Sequence, residues 1–152
     1  EERKGDVVAA LPEFIETWEG PLEAIEQGEY PIQLIGHHFK GRTHSTYGNL
    51  ARSRAAHPQV LWLNTLDASD RGIKHGDMVD VFNDRGKVRI PARVTARIRP
   101  GVASLPQGAW RNFKEGVDVG GAVNTLSSLH PAPVAKGNAQ HTSLVQIQKA
   151  EG

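Results

Sequence analysis

Met78-Val79-Asp80-Val81-Phe82-Asn83-Asp84-Arg85-Gly86 runs directly into Lys87-Val88-Arg89-Ile90-Pro91-Ala92-Arg93-Val94-Thr95-Ala96-Arg97-Ile98. In the second half Val88, Ile90, Ala92, Val94, Ala96 and Ile98 alternate with polar or basic residues. That period of two predicts a strand with one apolar face and one basic face. Asn83-Asp84-Arg85-Gly86 supplies a hairpin loop, with Gly86 expected at positive φ in a bulge. Pro91 lacks an N–H, so the returning strand should lie partly at an edge or have a position at 91 without a hydrogen bond.

Working outward, Gly76-Asp77 turns the chain into the first arm of this hairpin. Before it, Asn64 is placed to cap a helix over residues 65–71 whose third residue, Asp67, makes a variant of the capping box. Gly72 stands where a left-handed residue ends such a helix. Val60-Leu61-Trp62-Leu63 reads as a buried strand, Ile32-Gln33-Leu34-Ile35 as another, and Arg52-Ser53-Arg54-Ala55-Ala56-His57-Pro58 as connection. Downstream, Arg99-Pro100-Gly101 turns into the strand Val102-Ala103-Ser104-Leu105. A region rich in glycine and asparagine fills residues 107–141, and Ser143-Leu144-Val145-Gln146-Ile147-Gln148 is the last strand. Near the start, Leu11-Pro12-Glu13-Phe14-Ile15-Glu16-Thr17-Trp18 is expected to be a short helix with Phe14, Ile15 and Trp18 on one face, and residues 22–27 to add a turn. Short strands, one well-punctuated helix and long loops predict a mainly β fold with minor helices, a β-barrel. Residues 1–29 are expected to be a linker or helical segment from an upstream domain, and residues 30–152 the barrel.

The 152 residues suit one core, and Lys+Arg 18 against Asp+Glu 17 leaves no strong overall field, so any anion site must be local. The absence of cysteine removes disulfides and thiolate chemistry. No apolar stretch approaches the roughly 20 residues needed to cross a bilayer, which argues against direct membrane insertion.

Chemistry concentrates in Gly36-His37-His38-Phe39-Lys40-Gly41-Arg42-Thr43-His44-Ser45-Thr46-Tyr47-Gly48-Asn49. A structural loop needs glycine or asparagine for its turns, but not cationic and imidazole donors at this density. Gln107-Gly108-Ala109-Trp110, Val123-Asn124-Thr125-Leu126 and Lys136-Gly137-Asn138-Ala139-Gln140-His141-Thr142 also flank strands, and closing those strands into a barrel would gather all four clusters at one end. His37, His38 and His44 admit a zinc reading, but no His-x3-His helix or partnering carboxylate accompanies them. His44-Ser45 lacks the nucleophile elbow of a serine hydrolase. Binding of phosphate and a heterocycle explains more: imidazole and guanidinium donate to oxyanions, and an amide such as Asn124 reads both edges of a ring. Trp110 is equally a core residue or a lid over a ring, and Gly137-Asn138 equally a turn. Arg89, Arg93 and Arg97 form a row without interleaved aromatics, a solvated sheet face rather than a nucleic-acid stripe.

Taken together and in order, these clusters resemble the C-terminal molybdopterin dinucleotide-binding domain of the dimethyl sulfoxide reductase family, and within it the catalytic subunits of anaerobic dimethyl sulfoxide reductases. The likeness runs from about Tyr30 to Lys149 and includes Trp62-Leu63-Asn64, Gly72-Ile73-Lys74-His75-Gly76-Asp77 and Phe82-Asn83-Asp84-Arg85-Gly86. It implies a double-psi β-barrel over a molybdenum bis-molybdopterin guanine dinucleotide. The cofactor-binding residues are then expected among Gly36, His37, His38, Arg42, Thr43, His44, Ser45, Trp110, Asn124, Asn138, His141 and Thr142. Arg42 is expected to be a free donor whose loss costs the fold little. No catalytic or metal-ligating residue is expected in this chain, and an iron-sulfur cluster is expected elsewhere in the parent protein. The parent would reduce a sulfoxide or N-oxide by oxygen-atom transfer in anaerobic respiration. Its partners would be its own remaining domains together with electron-transfer and membrane-anchor subunits, at a periplasmic or membrane-associated location. The alternatives are a formate, nitrate or polysulfide type of molybdenum enzyme, or a free-standing double-psi barrel serving as an interaction module.

Overall fold

The computed structural model describes residues 11–12, 14, 17–20, 28–132, 136–138 and 141–151. Among them the chain forms β1 (Ile32–His37), α1 (Ala51–Ala56), β2 (Leu61–Leu63), α2 (Thr65–Asp70), β3 (Met78–Asn83), β4 (Gly86–Val94), β5 (Val102–Pro106), β6 (Phe113–Lys114), β7 (Val117–Asp118) and β8 (Ser143–Lys149), with a 3-10 turn at Val123–Thr125. Neighbouring strands follow the order β2-β5-β1-β8-β3-β4, and a β2–β4 pairing closes the ring into a six-stranded barrel. Within it β1/β5 and β2/β4 are parallel and the other pairs antiparallel. This is the mainly β, double-psi barrel that the sequence reading expects.

The central hairpin aligns Val79 with Ile90 and Val81 with Val88, all four buried. Leu34, Leu61, Leu63, Leu105 and Val145 complete a core without exposed surface. Each such side chain contributes about 1.5–3 kcal/mol relative to exposure, so the alternation in β4 selects the register: a one-residue slip would turn its apolar face outward.

Register also defines the poles. β1 and β5 run in parallel to His37↔Pro106, and β8 starts beside them at Leu34↔Ser143. The loops after β1 and β5, the segment before β8 and the β3–β4 hairpin therefore share one pole. β2 and β4 end together at Leu63↔Val94, which puts α2 and the turns before β3 and β5 at the other.

Several expectations change in detail. β4 ends at Val94, although alternation continues to Ile98, because Thr95 N–H donates to Leu63 O and the chain bends so that Ile98 O accepts from the Asn64 amide. Pro91 sits within a barrel strand on its outer, half-buried face, at a position without a hydrogen bond, the second of the two expected arrangements. Ala92 N–H points to Asp77 O on the β3 side, so position 91 faces the opposite side, in the gap between β7 at Val88 and β2 from Ala92 onward. Gly86 does not adopt positive φ; a Cβ there would lie 2.9 Å from Thr125 O. Asn64 does cap α2, accepting from Leu66 N–H at 2.8 Å, and Gly72 has φ +63°. Asp67 instead accepts from Gly101 N–H and pins the turn into β5. The expected connection at 52–58 contains α1, which buries no residue and so shows no amphipathic period. Leu11, Phe14 and Trp18 are exposed and none is helical, and Ile15, expected on the same face, lies outside the described residues. The turn expected at 22–27 lies outside the described residues.

Candidate functional site

The polar loop is a succession of tight turns. Arg42 N–H reaches Phe39 O, Thr46 N–H reaches Thr43 O, Gly48 N–H reaches Ser45 O and Leu50 N–H reaches Tyr47 O. Each turn spends backbone polarity internally and leaves Thr43, His44, Ser45, Thr46 and Tyr47 exposed. His44 and Tyr47 accept positive φ, 50° and 70°, to do so. α1 braces the loop from behind, through the Ser53 hydroxyl on Gly41 O and Arg54 Nη1 on Gly48 O.

The loop after β5 packs against it. Gly108, at φ +83°, passes so close that a Cβ would fall 1.9 Å from His44 O, and Trp110 Nε1 donates to Ser45 O at 2.8 Å. Arg42 fastens the two loops. One guanidinium nitrogen donates to Gln59 Oε1 at 2.9 Å and Gln107 O at 3.1 Å, and the group lies 3.9 Å from the Phe39 ring centroid. Gln59 in turn donates to Pro106 O and Gly121 O. Burial depresses the Arg42 pKa, and its Nε is buried without a partner. Arg42 is thus a bracket within the fold, contrary to the expectation of a free donor.

The third cluster hangs on a residue that the sequence reading passed over. Asp118 is fully buried; its carboxylate accepts from Asn112 N–H, Gly120 N–H, Ala122 N–H and the Thr125 hydroxyl at 2.8–3.0 Å. These bonds shape the 112–125 loop and present Asn124, which is exposed on the 3-10 turn. Arg111 Nη2 donates to Asn124 O at 2.7 Å, and the Asn138 amide approaches Asn124 Oδ1 at 3.5 Å. The fourth cluster returns to β1, where His141 Nδ1 accepts from Gly36 N–H at 3.2 Å; that imidazole therefore carries any single proton on Nε2.

Hydrogen bonds and ring contacts so join all four clusters at one pole. His38 and His44 meet edge to face at 5.6 Å, Ser45 meets Trp110, Asn124 meets Asn138, and Gly36 meets His141. Thr43 bridges to Thr46, and Thr142 is half-buried just before β8. His37 stands apart. It lies on the face of β1 away from the core, with Nδ1 2.6 Å from Ser104 Oγ and its ring against Trp62, and burial lowers its pKa. No group of three or more His, Cys, Asp or Glu among the described residues is placed to hold a metal ion.

Two clefts open here. One of about 550 Å³ is lined by Arg42, Arg54, Arg111, His57, Gln59 and Trp110. The other, about 350 Å³, is lined by Arg111, Asn124, Ser128, His130, Gly137 and Asn138. Arg111 borders both. The sequence reading missed Gln59, Arg111 and Asp118; only Asp118 carried a local signal, the Asp118-Val119-Gly120-Gly121 pattern of a carboxylate-capped loop.

A family model described as a molydopterin dinucleotide binding domain matches residues 32–144. A putative dimethyl sulfoxide reductase chain YnfE of Escherichia coli is 52% identical over 149 residues, covering 96% of this chain and 18% of that one. Dimethyl sulfoxide reductase DmsA of Escherichia coli is 48% identical over 150 residues, with coverage of 96% and 18%. A dimethyl sulfoxide/trimethylamine N-oxide reductase of Cereibacter sphaeroides is 33% identical, covering 90% of this chain and 18% of that one. This chain therefore spans about a fifth of the length of these relatives. Acetylene hydratase from Pelobacter acetylenicus superposes with a TM-score of 0.78 at 19% identity, covering 92% of this chain and 21% of that one, a likeness of fold.

Proposed function

The chain belongs to the molydopterin dinucleotide binding domain family, and from that premise we propose that its loop-bearing pole holds the guanine dinucleotide arms of a molybdenum bis-molybdopterin cofactor inside a larger oxidoreductase subunit. The observation that carries this reading is the convergence of four sequence-distant clusters at one pole, where the first of them keeps donors available. Among the described residues no hydrogen bond engages the His38 or His44 imidazole, or the Thr43 or Ser45 hydroxyl. Their chemistry fits the group: imidazoles and hydroxyls donate to phosphate and pterin oxygens, and guanidiniums bind phosphate through charge-assisted hydrogen bonds. The cleft bordered by Arg54, Arg111 and Trp110 suits the pyrophosphate, and the cleft of Asn124 and Asn138 suits the guanine, whose edge offers both donors and acceptors.

Arg42 and Asp118 hold the loops in place, Gly36 and His141 tie the fourth cluster to β1, Thr142 flanks it, and His37 supports the wall behind. When bound, the molybdenum group would supply oxygen-atom transfer from a sulfoxide or N-oxide, the substrate class named for the relatives above. The contribution of this chain is binding, orientation and exclusion of water. Electron-transfer and membrane-anchor partners, an iron-sulfur cluster and the periplasmic side of a membrane belong to the same proposal for the parent protein; no helix among the described residues is long and apolar enough to cross a membrane.

The test is cofactor content. In the intact subunit, His44→Ala combined with Asn124→Ala should lower molybdenum and guanine together by at least about tenfold, since a hydrogen bond to an anionic phosphate is worth about 1.5–3 kcal/mol and a neutral one to the base about 0.5–1.5 kcal/mol. Both side chains are exposed, so unfolding of the domain should be unchanged within about 0.5 kcal/mol. Full loading of the double variant would reject the assignment.

A further inference from the structure

Upstream of the barrel, Glu19 reaches into the base of the same pole. Its carboxylate meets Arg85 through both oxygens at 2.9 Å and accepts from Leu144 N–H at 2.7 Å. Both charged groups are largely shielded, with 17% and 26% of their side chains exposed. Arg85 spends its remaining Nε on Leu126 O, the carbonyl just after the Asn124 turn, which Asn83 also holds. Leu144 is the second residue of β8, two positions beyond Thr142. One residue earlier than Glu19, Trp18 stacks on His130 at 5.1 Å, and His130 lines the Asn124–Asn138 cleft. The upstream segment therefore grips the supports of that cleft at separate points, and Glu19 joins two of them.

We propose that Glu19 is a positioning residue: through Arg85 it fixes the turn that presents Asn124, and through Leu144 it fixes the start of β8 behind His141 and Thr142. This rests on the binding role proposed for that cleft, and it adds that the upstream segment sets its shape. An ion pair used only for general stability would, when broken, lower the protection of the whole barrel together. A positioning pair, when broken, releases the elements it touches while the distant ladder keeps its protection.

Amide hydrogen exchange of this chain, followed residue by residue, separates the two. In Glu19→Ala, the amides of Leu144, Thr125 and Leu126 should exchange at least about tenfold faster, while Val81 and Ile90 in the β3–β4 ladder are unchanged. Glu19→Gln keeps an acceptor for Leu144 N–H but not the ion pair, so it should release Thr125 and Leu126 and spare Leu144. Millimolar GDP, as probe, should shift the Asn124 side-chain amide in the parent chain and shift it less in both variants. Uniform acceleration across the barrel, or unchanged exchange at Thr125 and Leu126, overturns the positioning role. GDP that shifts nothing in the parent chain overturns the binding reading instead, and the exchange pattern then decides the role of Glu19 by itself.

Discussion

Arg42 donates to Gln59 and to the Gln107 carbonyl, so its side chain is part of the loop's framework. Removing it forfeits two charge-assisted hydrogen bonds, partly compensated by water at this half-buried position, and Arg42→Ala should cost about 2 kcal/mol in urea unfolding. Arg42→Lys should recover only part, because a compact ammonium loses the flat stacking of the guanidinium on the Phe39 ring. An Arg42→Ala chain within about 0.5 kcal/mol of the parent would contradict the bracket role. Asp118→Ala is the harsher change: it strands three loop N–H groups and a hydroxyl, and should cost at least about 3 kcal/mol by the same measurement. Asp80 gives a pH signature. Hydrogen bonds from Arg89, at 2.7 and 2.9 Å, hold its carboxyl below the usual range. A depressed folded pKa contributes stability that is present above the unfolded value, near 3.9, and is lost as pH falls through the folded one. Stability should therefore drop below about pH 4, and Asp80→Asn should flatten that drop. Asp77, held low by Lys74 N–H and Lys149, leaves a residual slope.

At the scale of elements, the six barrel strands were readable because each is a short apolar run or alternation between turn residues, with the period of two clearest in β4; β6 and β7, two residues each inside the stretch expected as loop, were not. α2 was readable from Asn64 and Gly72. α1 was not, since a helix that buries nothing leaves no periodic mark. Of the candidate site, the clusters were legible as donor-rich loops, whereas their supports were not: Gln59 and Arg85 look like any surface residues until the fold brings partners from more than 40 positions away. Gly86 was right as a required glycine and wrong as to reason, because close approach to a distant residue has no local signal. Gly108 is a sharper instance. Its φ of +83° and a Cβ that would lie 1.9 Å from His44 O leave no room for a side chain. Gly108→Ala should push the two loops apart, breaking the Trp110–Ser45 bond, and be visible as loss of protection of the Trp110 indole N–H while the β3–β4 ladder stays intact. An indole proton protected as in the parent chain would show that the loops are not packed as described.

For the whole molecule, the closed barrel gives a rigid frame with α2 and the turns before β3 and β5 at one pole and the donor loops at the other. The frame carries no cysteine, and the chain corresponds to 18% of its relatives' length, so on the proposed reading it holds a cofactor whose other contacts lie elsewhere. By itself it should show no turnover of dimethyl sulfoxide with a reduced viologen, and only weak nucleotide affinity, because most of the ligand's surface would stay in water. Weak binding is still mapped by magnetic resonance. The most direct test of the account is a titration of the isotope-labelled chain with millimolar GDP, read at every assigned amide. Shifts are expected only in residues 43–48, 54–59, 109–112, 123–130 and 136–138, with none in α2 or residues 95–101. Shifts centred on the α2 pole, or none anywhere, would contradict it.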